Sequence, residues 1–393
     1  MTRLIGTLAG LYLVAAMSVA AQPRDGKPIF RFDTFGDEQL WTDTLQLHTV
    51  VAGLSPQAAL EVGLKVDAEA LPPAIISGLK AGTVDLGSPT VTMQLLQLNA
   101  VVGVIGRFGQ NGQLQSVGVT CALCHSTVDN SLTTGIGRRL DGWPNRTLNV
   151  GGIIALSPVL TEAEKKIFRS WGPGKYDPRM HAFDGERFID LNPPTVPVVI
   201  PPAYGLRGVG FETFTGDGSI SYWNAYVGIT QMGGQGTFRD DRIPLNIVQT
   251  PDLVAPQLPA LLDYQLSLRA PDPPRGSFNV VAAQRGRHLF NGVAQCDSCH
   301  TPPHHTDVLR GPTRDVPLLH SPAETMMDPA YAARSVTGLY RTTPLAGVWQ
   351  HPPYFHDGSA ADLSAVVNHY DRALALGLSA GQKADLVEYL KSL

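Results

Sequence analysis

Two stretches of the 393-residue chain carry reactive residue types at a fixed spacing: Cys121-Ala122-Leu123-Cys124-His125 and Cys296-Asp297-Ser298-Cys299-His300. Both read C-x-x-C-H, and together they use all four cysteines. On one helical turn, positions i, i+3 and i+4 share a face, so two thiols and one imidazole can meet a single flat partner. Two thioether bonds and one iron ligand are what covalent haem requires. His125 and His300 would each bind iron through one ring nitrogen while the other donates to a backbone carbonyl. An even cysteine count in an exported chain also fits two disulfides. A redox C-x-x-C, however, needs no following His, and a zinc ribbon brings its pairs within about 20 residues. The pairs at 121 and 296 lie far beyond that reach. The motifs therefore predict two covalently bound haem c groups.

The elements around the motifs must supply those turns and cover them. Gly 40 and Pro 31 make up roughly 18% of the chain, against about 12% in an average one, so long irregular stretches are expected. The fold class read from the sequence is mainly α with long irregular loops, as two cytochrome c-like haem-binding lobes plus an N-terminal segment. Val281–Phe290 has helical composition and leads into the second motif. Ala380–Leu393 forms the last helix, with Ser379 and Gln382 as a capping box and Leu386, Leu390 and Leu393 as its apolar stripe. Two terminal helices crossing over a haem is the cytochrome c arrangement. Shorter helices are expected at Asp43–Leu54, Ala74–Lys80 and Leu258–Leu268.

The Pro-rich run at 271–276 is a stiff linker. Residues 1–21 read as a signal peptide, with Arg3, an apolar stretch Leu4–Met17 and small residues up to Ala21. The resulting organisation is 1–21 signal peptide, 22–105 N-terminal segment of unknown role, 106–270 first haem domain, 271–276 linker and 277–393 second haem domain. A net charge of −4 carries no nucleic-acid footprint, and the mature chain has no apolar run of the roughly 20 residues that span a bilayer. A soluble periplasmic protein is expected. Pro201–Gly210, followed by Asp217-Gly218-Ser219, parallels Thr343–Val348, followed by Asp357-Gly358-Ser359, as though one unit occurs twice.

Thr343-Pro344-Leu345, Pro353-Tyr354-Phe355-His356-Asp357-Gly358 and Leu363 to Tyr370, with the paired motifs, resemble the bacterial di-haem cytochrome c peroxidases and their MauG-type relatives. The likeness is strong over 280–393 and weaker over 118–235. It implies an oxidoreductase in which the haem at His125 meets peroxide or oxygen while the haem at His300 transfers or stores electrons. A small redox protein would be donor or acceptor, and a homodimer is common in the family.

The resemblance puts Tyr370 at the position of the second haem's sixth iron ligand, with His369, Met326 and Met327 as rivals. His356 would be a hydrogen-bonding neighbour of that haem. At the first haem this sequence departs from the peroxidases. Arg138 stands where they carry a displaceable His, and Gly216 replaces a Trp before Asp217, for which nearby Trp223 could substitute. Gln231-Met232-Gly233 occupies the run where they have a distal Glu. Gln can hydrogen-bond peroxide but cannot shuttle its proton, so Gln231 is a catalytic candidate of altered chemistry. The sixth site of the first haem is then open, or closed by Met232, His48 or His181. The family also places a calcium ion between its haems, for which Asn145 is the one ligand to suggest.

His304, His305, His320 and His351 read as loop residues without ligand-like partners. Two further readings remain: a pure electron-transfer cytochrome with both irons six-coordinate, and a haem-dependent oxygenase of an organic substrate.

Overall fold

A computed structural model of the chain describes residues 25–179, 182–188, 194–243 and 245–393. The expected signal peptide and His181 lie outside the described residues. Helices predominate, and the described strands pair only as two-stranded ladders. The longest is an antiparallel hairpin of Val104–Phe108 with Leu114–Val119, which runs directly into the first C-x-x-C-H motif. Two buried side chains pin that hairpin. The Asp37 carboxylate accepts from the Val119 amide at 3.0 Å, and Thr42 Oγ1 accepts from the Val117 amide at 2.8 Å.

Apolar residues gather into separate cores. The largest runs in sequence from Ile29 to Leu261 and a second from Phe290 to Leu390. Segment 271–276 between them has neither helix nor strand. The large core includes Ile29, Phe30, Leu40, Trp41 and Leu47, so the start of the described chain packs together with residues 102–261. Helix Gly26–Phe32 lies so close to helix Leu258–Ser267 that a Cβ on Gly26 would overlap the Ala260 carbonyl.

Most helices expected from the sequence are present: Pro73–Ala81, Leu258–Ser267, Val280–Phe290 and Ala380–Lys391. The last starts at a capping box of Ser379 and Gln382 and buries Leu386 and Leu390. Gly286 is the contact point of the two terminal helices, since a Cβ there would overlap the Asp385 carbonyl and Tyr389. The region 43–54 differs from expectation. A widened π-type turn over Gln39–Thr44 is followed by helix Leu47–Val51, with Gln46 left-handed between them at φ 53°. The wide turn buries Leu40, Trp41 and Thr42 in succession. Among the described residues no helix is long and apolar enough to cross a membrane.

Candidate functional site

Each C-x-x-C-H motif forms one helical turn. In the first, helix Ala122–His125 is closed by the His125 amide donating to the Cys121 carbonyl at 3.1 Å. The second is a 3-10 turn, Cys296–Ser298, closed by the His300 amide donating to the Cys296 carbonyl at 2.9 Å. All four cysteines are free thiols. Burial pushes Cys121 and Cys124 up to about 12, Cys296 up to about 11, and Cys299 in the same direction. Redox-active and nucleophilic cysteines have depressed values, so these are not thiols prepared for exchange.

The two imidazoles are set alike. His125 Nδ1–H donates to the Pro201 carbonyl at 3.1 Å, and His300 Nδ1–H donates to the His305 carbonyl at 3.0 Å. Because a carbonyl only accepts, Nδ1 carries the proton in both rings and Nε2 keeps its lone pair. Burial lowers His125 to about 4 and His300 in the same direction, so both are neutral at pH 7, as a metal ligand must be. The Thr343 carbonyl also acts on His300. Thr343 is the residue aligned with Pro201 in the internal repeat.

Both motifs line one continuous cavity of about 820 Å³, with all four cysteines, His125 and His300 in its wall. Phe290, Leu345, Val367 and Leu386 supply apolar wall, interrupted by polar side chains that include Arg146, Glu212, Gln231 and Arg341. Four thiols in two pairs, two neutral imidazoles with free Nε2 and a large apolar cavity fit covalent haem. The cavity also presents orphaned polar atoms. Buried nitrogens or oxygens of Arg146, Glu212, Thr213, Trp223 and Arg341, all in the wall, have no hydrogen-bond partner in the described structure. Porphyrin carries carboxylates along one edge, and the donors among these orphans, on Arg146, Thr213, Trp223 and Arg341, suit them, whereas the Glu212 oxygen does not.

The other candidates are sorted by this cavity. Tyr370 lines it, and burial together with Cys296 and Cys299 raises its phenol above the ordinary value. Met327 lines it too. Met326 is 66% exposed, and neither it nor His369 is in the wall; His369 Nε2–H donates to the Thr325 carbonyl at 2.7 Å.

On the first motif's side, Gln231 and Met232 are buried in the wall, whereas His48 is not part of it. The Gln231 amide donates to the Pro178 carbonyl at 3.2 Å, and the Trp41 indole fixes the Met232 carbonyl at 2.8 Å. Trp223 stands between this cavity and a smaller one of about 160 Å³ lined by Tyr222, Tyr226, Tyr331 and Asp217. His356 is buried in the wall and stacks on Tyr340 at 4.6 Å between ring centres. Tyr340 donates to the Asp328 carbonyl at 2.6 Å, so His356 Nε2–H donates to the Tyr340 oxygen at 3.0 Å. Asn145 spends its amide on the Gly63 carbonyl and its oxygen on Thr147, both close by.

Two histidines read as lacking partners have them. His320 lies between Asp307 at 3.0 Å and Glu324 at 2.8 Å, and the Asp307 hydrogen bond, with Glu324 beside it, raises it to about 9. Asp307 and His320 also approach Cys299 closely enough to form a three-ligand cluster, though that sulfur belongs to the second motif. His351 is buried, lowered to about 3 by burial and then by Arg146, whose Nη2 lies 3.4 Å from its Nδ1. Arg146 and His351 are 205 positions apart. The Pro-rich sequence around His351 carries no local sign of that contact.

This donor set and cavity have the chemistry of a c-type haem protein. No protein-family profile matches the chain. Among curated proteins it is similar to cytochrome-c peroxidase IdrP2 of Pseudomonas sp. (strain SCT), 32% identical over 143 residues, covering 28% of this chain and 39% of that protein. The protein of the same name from Denitromonas iodatirespirans is 28% identical over 153 residues, covering 30% and 42% respectively. The chain thus spans about two fifths of the length of the curated relatives it matches. Among solved structures it is similar to a MauG-like protein associated with microbial copper homeostasis, with 24% identity, 37% of this chain and 55% of that one covered, and a TM-score of 0.30. It is also similar to Kuenenia stuttgartiensis hydrazine synthase, with 17% identity, 55% and 83% covered, and a TM-score of 0.31. Superpositions that loose carry no argument. The curated relatives support the resemblance read from the sequence: over part of its length the chain is similar to cytochrome-c peroxidases.

Proposed function

We propose that the chain is a periplasmic di-haem c-type cytochrome with oxidoreductase activity of the peroxidase type. One haem is held by Cys121, Cys124 and His125, the other by Cys296, Cys299 and His300. The observation that carries this reading is the single cavity onto which both motifs open with neutral, carbonyl-anchored imidazoles. Bound haem supplies an iron centre that exchanges single electrons and, where a coordination position is free, reacts with peroxide or dioxygen. Residues 106–270 and 277–393 are the two haem units, joined by 271–276.

The chain's own residues divide the work around those centres. His125 and His300 offer Nε2 and are kept from rotating by their Nδ1 hydrogen bonds. Tyr370 is the second donor on the His300 side: a phenol whose ionisation burial opposes, and which gives up its proton only beside a strong cation. His356, held by Tyr340, borders the same site. Gln231 can orient an oxygen ligand by hydrogen bonding but can neither take nor return a proton. Trp223, which borders this cavity and the smaller one beside it, is the candidate electron relay. Calcium is not part of this proposal, because it takes about 6–8 oxygen ligands and Asn145 is the one candidate ligand for it. A small redox protein would exchange electrons with the second site.

A second reading, a pure electron carrier, is favoured by Met232, a buried thioether in the wall with its backbone fixed by Trp41. Electron paramagnetic resonance of the ferric protein, before and after one equivalent of peroxide, separates the two. A high-spin signal that peroxide abolishes supports the peroxidase reading, whereas two low-spin signals indifferent to peroxide support the carrier. A colourless product with the mass of the bare polypeptide, from a host that attaches haem c, would overturn both.

A further inference from the structure

The buried cations of the cavity wall are not equivalent. Arg341 pairs with Glu212 at 2.9 Å, both side chains almost fully buried, so that charge is compensated inside the protein. Arg139, buried elsewhere than in this wall, is likewise paired, with Asp67 at 2.9 Å. Arg146 is different. Its Nε and Nη1 are buried and have no partner in the described structure, and its Nη2 meets only the ring nitrogen of His351. That ring is neutral at pH 7. The other groups acting on Arg146 are the phenols of Tyr204 and Tyr354. Tyr204 donates its own proton to the Gly347 carbonyl or Gln350, and Tyr354 donates to the Val348 carbonyl. Among the described residues no carboxylate answers this guanidinium. Burial lowers it to about 10, which still leaves it cationic at neutral pH. A buried cation without an anion is strongly destabilising, and a guanidinium is built to accept a carboxylate in a two-pronged hydrogen bond.

The position of Arg146 says which side that anion comes from. The preceding residue, Asn145, donates its amide to the Cys124 carbonyl at 2.8 Å, so Arg146 grows from the wall of the first motif. Its far end meets His351, which belongs to the region after the second motif. Arg146 therefore lines the shared cavity at the junction of the two sites, with its unpartnered nitrogens buried just behind the cavity surface.

We propose that Arg146 is a carboxylate site whose ligand is a porphyrin propionate at the junction of the two motifs, making it a positioning and potential-setting residue. The assignment rests on the haem reading above. A cation beside a haem carboxylate keeps that carboxylate ionised and favours the iron state of lower charge. Without it, the carboxylate either repels the added electron or takes up a proton with it.

The test uses the full haem-loaded chain with Arg146→Gln and Arg146→Lys, reading haem per chain by intact mass and both midpoint potentials across a pH series. In R146Q both haems remain attached, at least one potential falls, and that potential becomes pH-dependent as the propionate gains a proton on reduction. R146K lies between R146Q and the parent. Unchanged potentials and pH dependence in a doubly loaded R146Q would overturn the assignment alone, whereas a parent chain of bare polypeptide mass would overturn the haem reading and the assignment with it. Should R146Q fail to accumulate, the parent decides by infrared difference spectroscopy. A protonated carboxylic acid band appearing on reduction at neutral pH overturns the clamp, and its absence supports it. Added acetate tests the other carboxylate source: no spectral shift is expected, and a saturable shift in the parent that R146K lacks would assign the site to free carboxylates instead.

Discussion

The two motif regions solve one problem with different depths of support. The first sits at the end of a hairpin inside the larger core, and its histidine is anchored by Pro201, a residue far along the chain. The second lies on a shorter turn, its histidine anchored by His305 only five positions away. Its roof is a pair of crossing helices from the smaller core. A site held by distant segments depends on the whole first region; one held locally depends on a few contacts that single substitutions can reach. The Pro201 and Thr343 carbonyls, aligned in the internal repeat, both act on a motif histidine.

That contrast can be broken by experiment. The largest effects are expected from the cysteines: C121A/C124A and C296A/C299A should each remove one covalently attached haem, read as two separate mass losses. Loss of both groups from either variant would show that the sites do not load independently. Next come the glycines at the tight contacts. Gly103, at φ 76°, abuts the Leu123 backbone of the first motif, and Gly286 marks the helix crossing above the second. Gly286→Ala should cost ~1–3 kcal/mol by overpacking. Gly103→Ala adds strain at a positive φ, so it should cost more. Denaturation followed at each site's absorbance would show whether the damage stays local to the second site and spreads from the first.

A pH effect of intermediate size belongs to the second region. His320 is raised to about 9 in the folded chain by Asp307 and then Glu324, against about 6.5 unfolded. Its contribution is therefore complete below pH ~6.5 and is lost as pH rises through about 9. His320→Gln should lower stability by ~2 kcal/mol in mildly acidic buffer and by little in strongly alkaline buffer. A penalty that does not diminish with rising pH would remove the charge from the explanation. The smallest effect is at the last helix, where Ser379→Ala removes half of a capping box and should cost about 1 kcal/mol. Thermal melts should show it as a small shift in the second region alone.

Local pattern carried much of this molecule. The motif turns, the capping box at Ser379 and the apolar positions Leu386 and Leu390 all follow from relations between residues three or four apart, and the folded chain contains them. Distal candidates were legible only as a set to be sorted. Tyr370, Met327, Gln231 and Met232 reach the cavity wall; Met326, His369 and His48 do not. The contact of Arg146 with His351 and the Asp307 partner of His320 were missed because the local sequence does not mark them, whereas Glu324, four residues after His320, was within local reach. The wide turn at Gln39–Thr44 was missed for a related reason. Its shape follows from Trp41 bonding to Met232 and Thr42 to Val117, contacts that no local propensity encodes.

Residue spacing alone determined that four thiols and two imidazoles would stand in two matched sets, because a single helical turn brings i, i+3 and i+4 to one side whatever surrounds it. Only the tertiary structure decided that both sets face one cavity and that an uncompensated guanidinium stands between them. Those facts depend on how segments up to 205 positions apart are brought together, and packing of the whole chain sets that path.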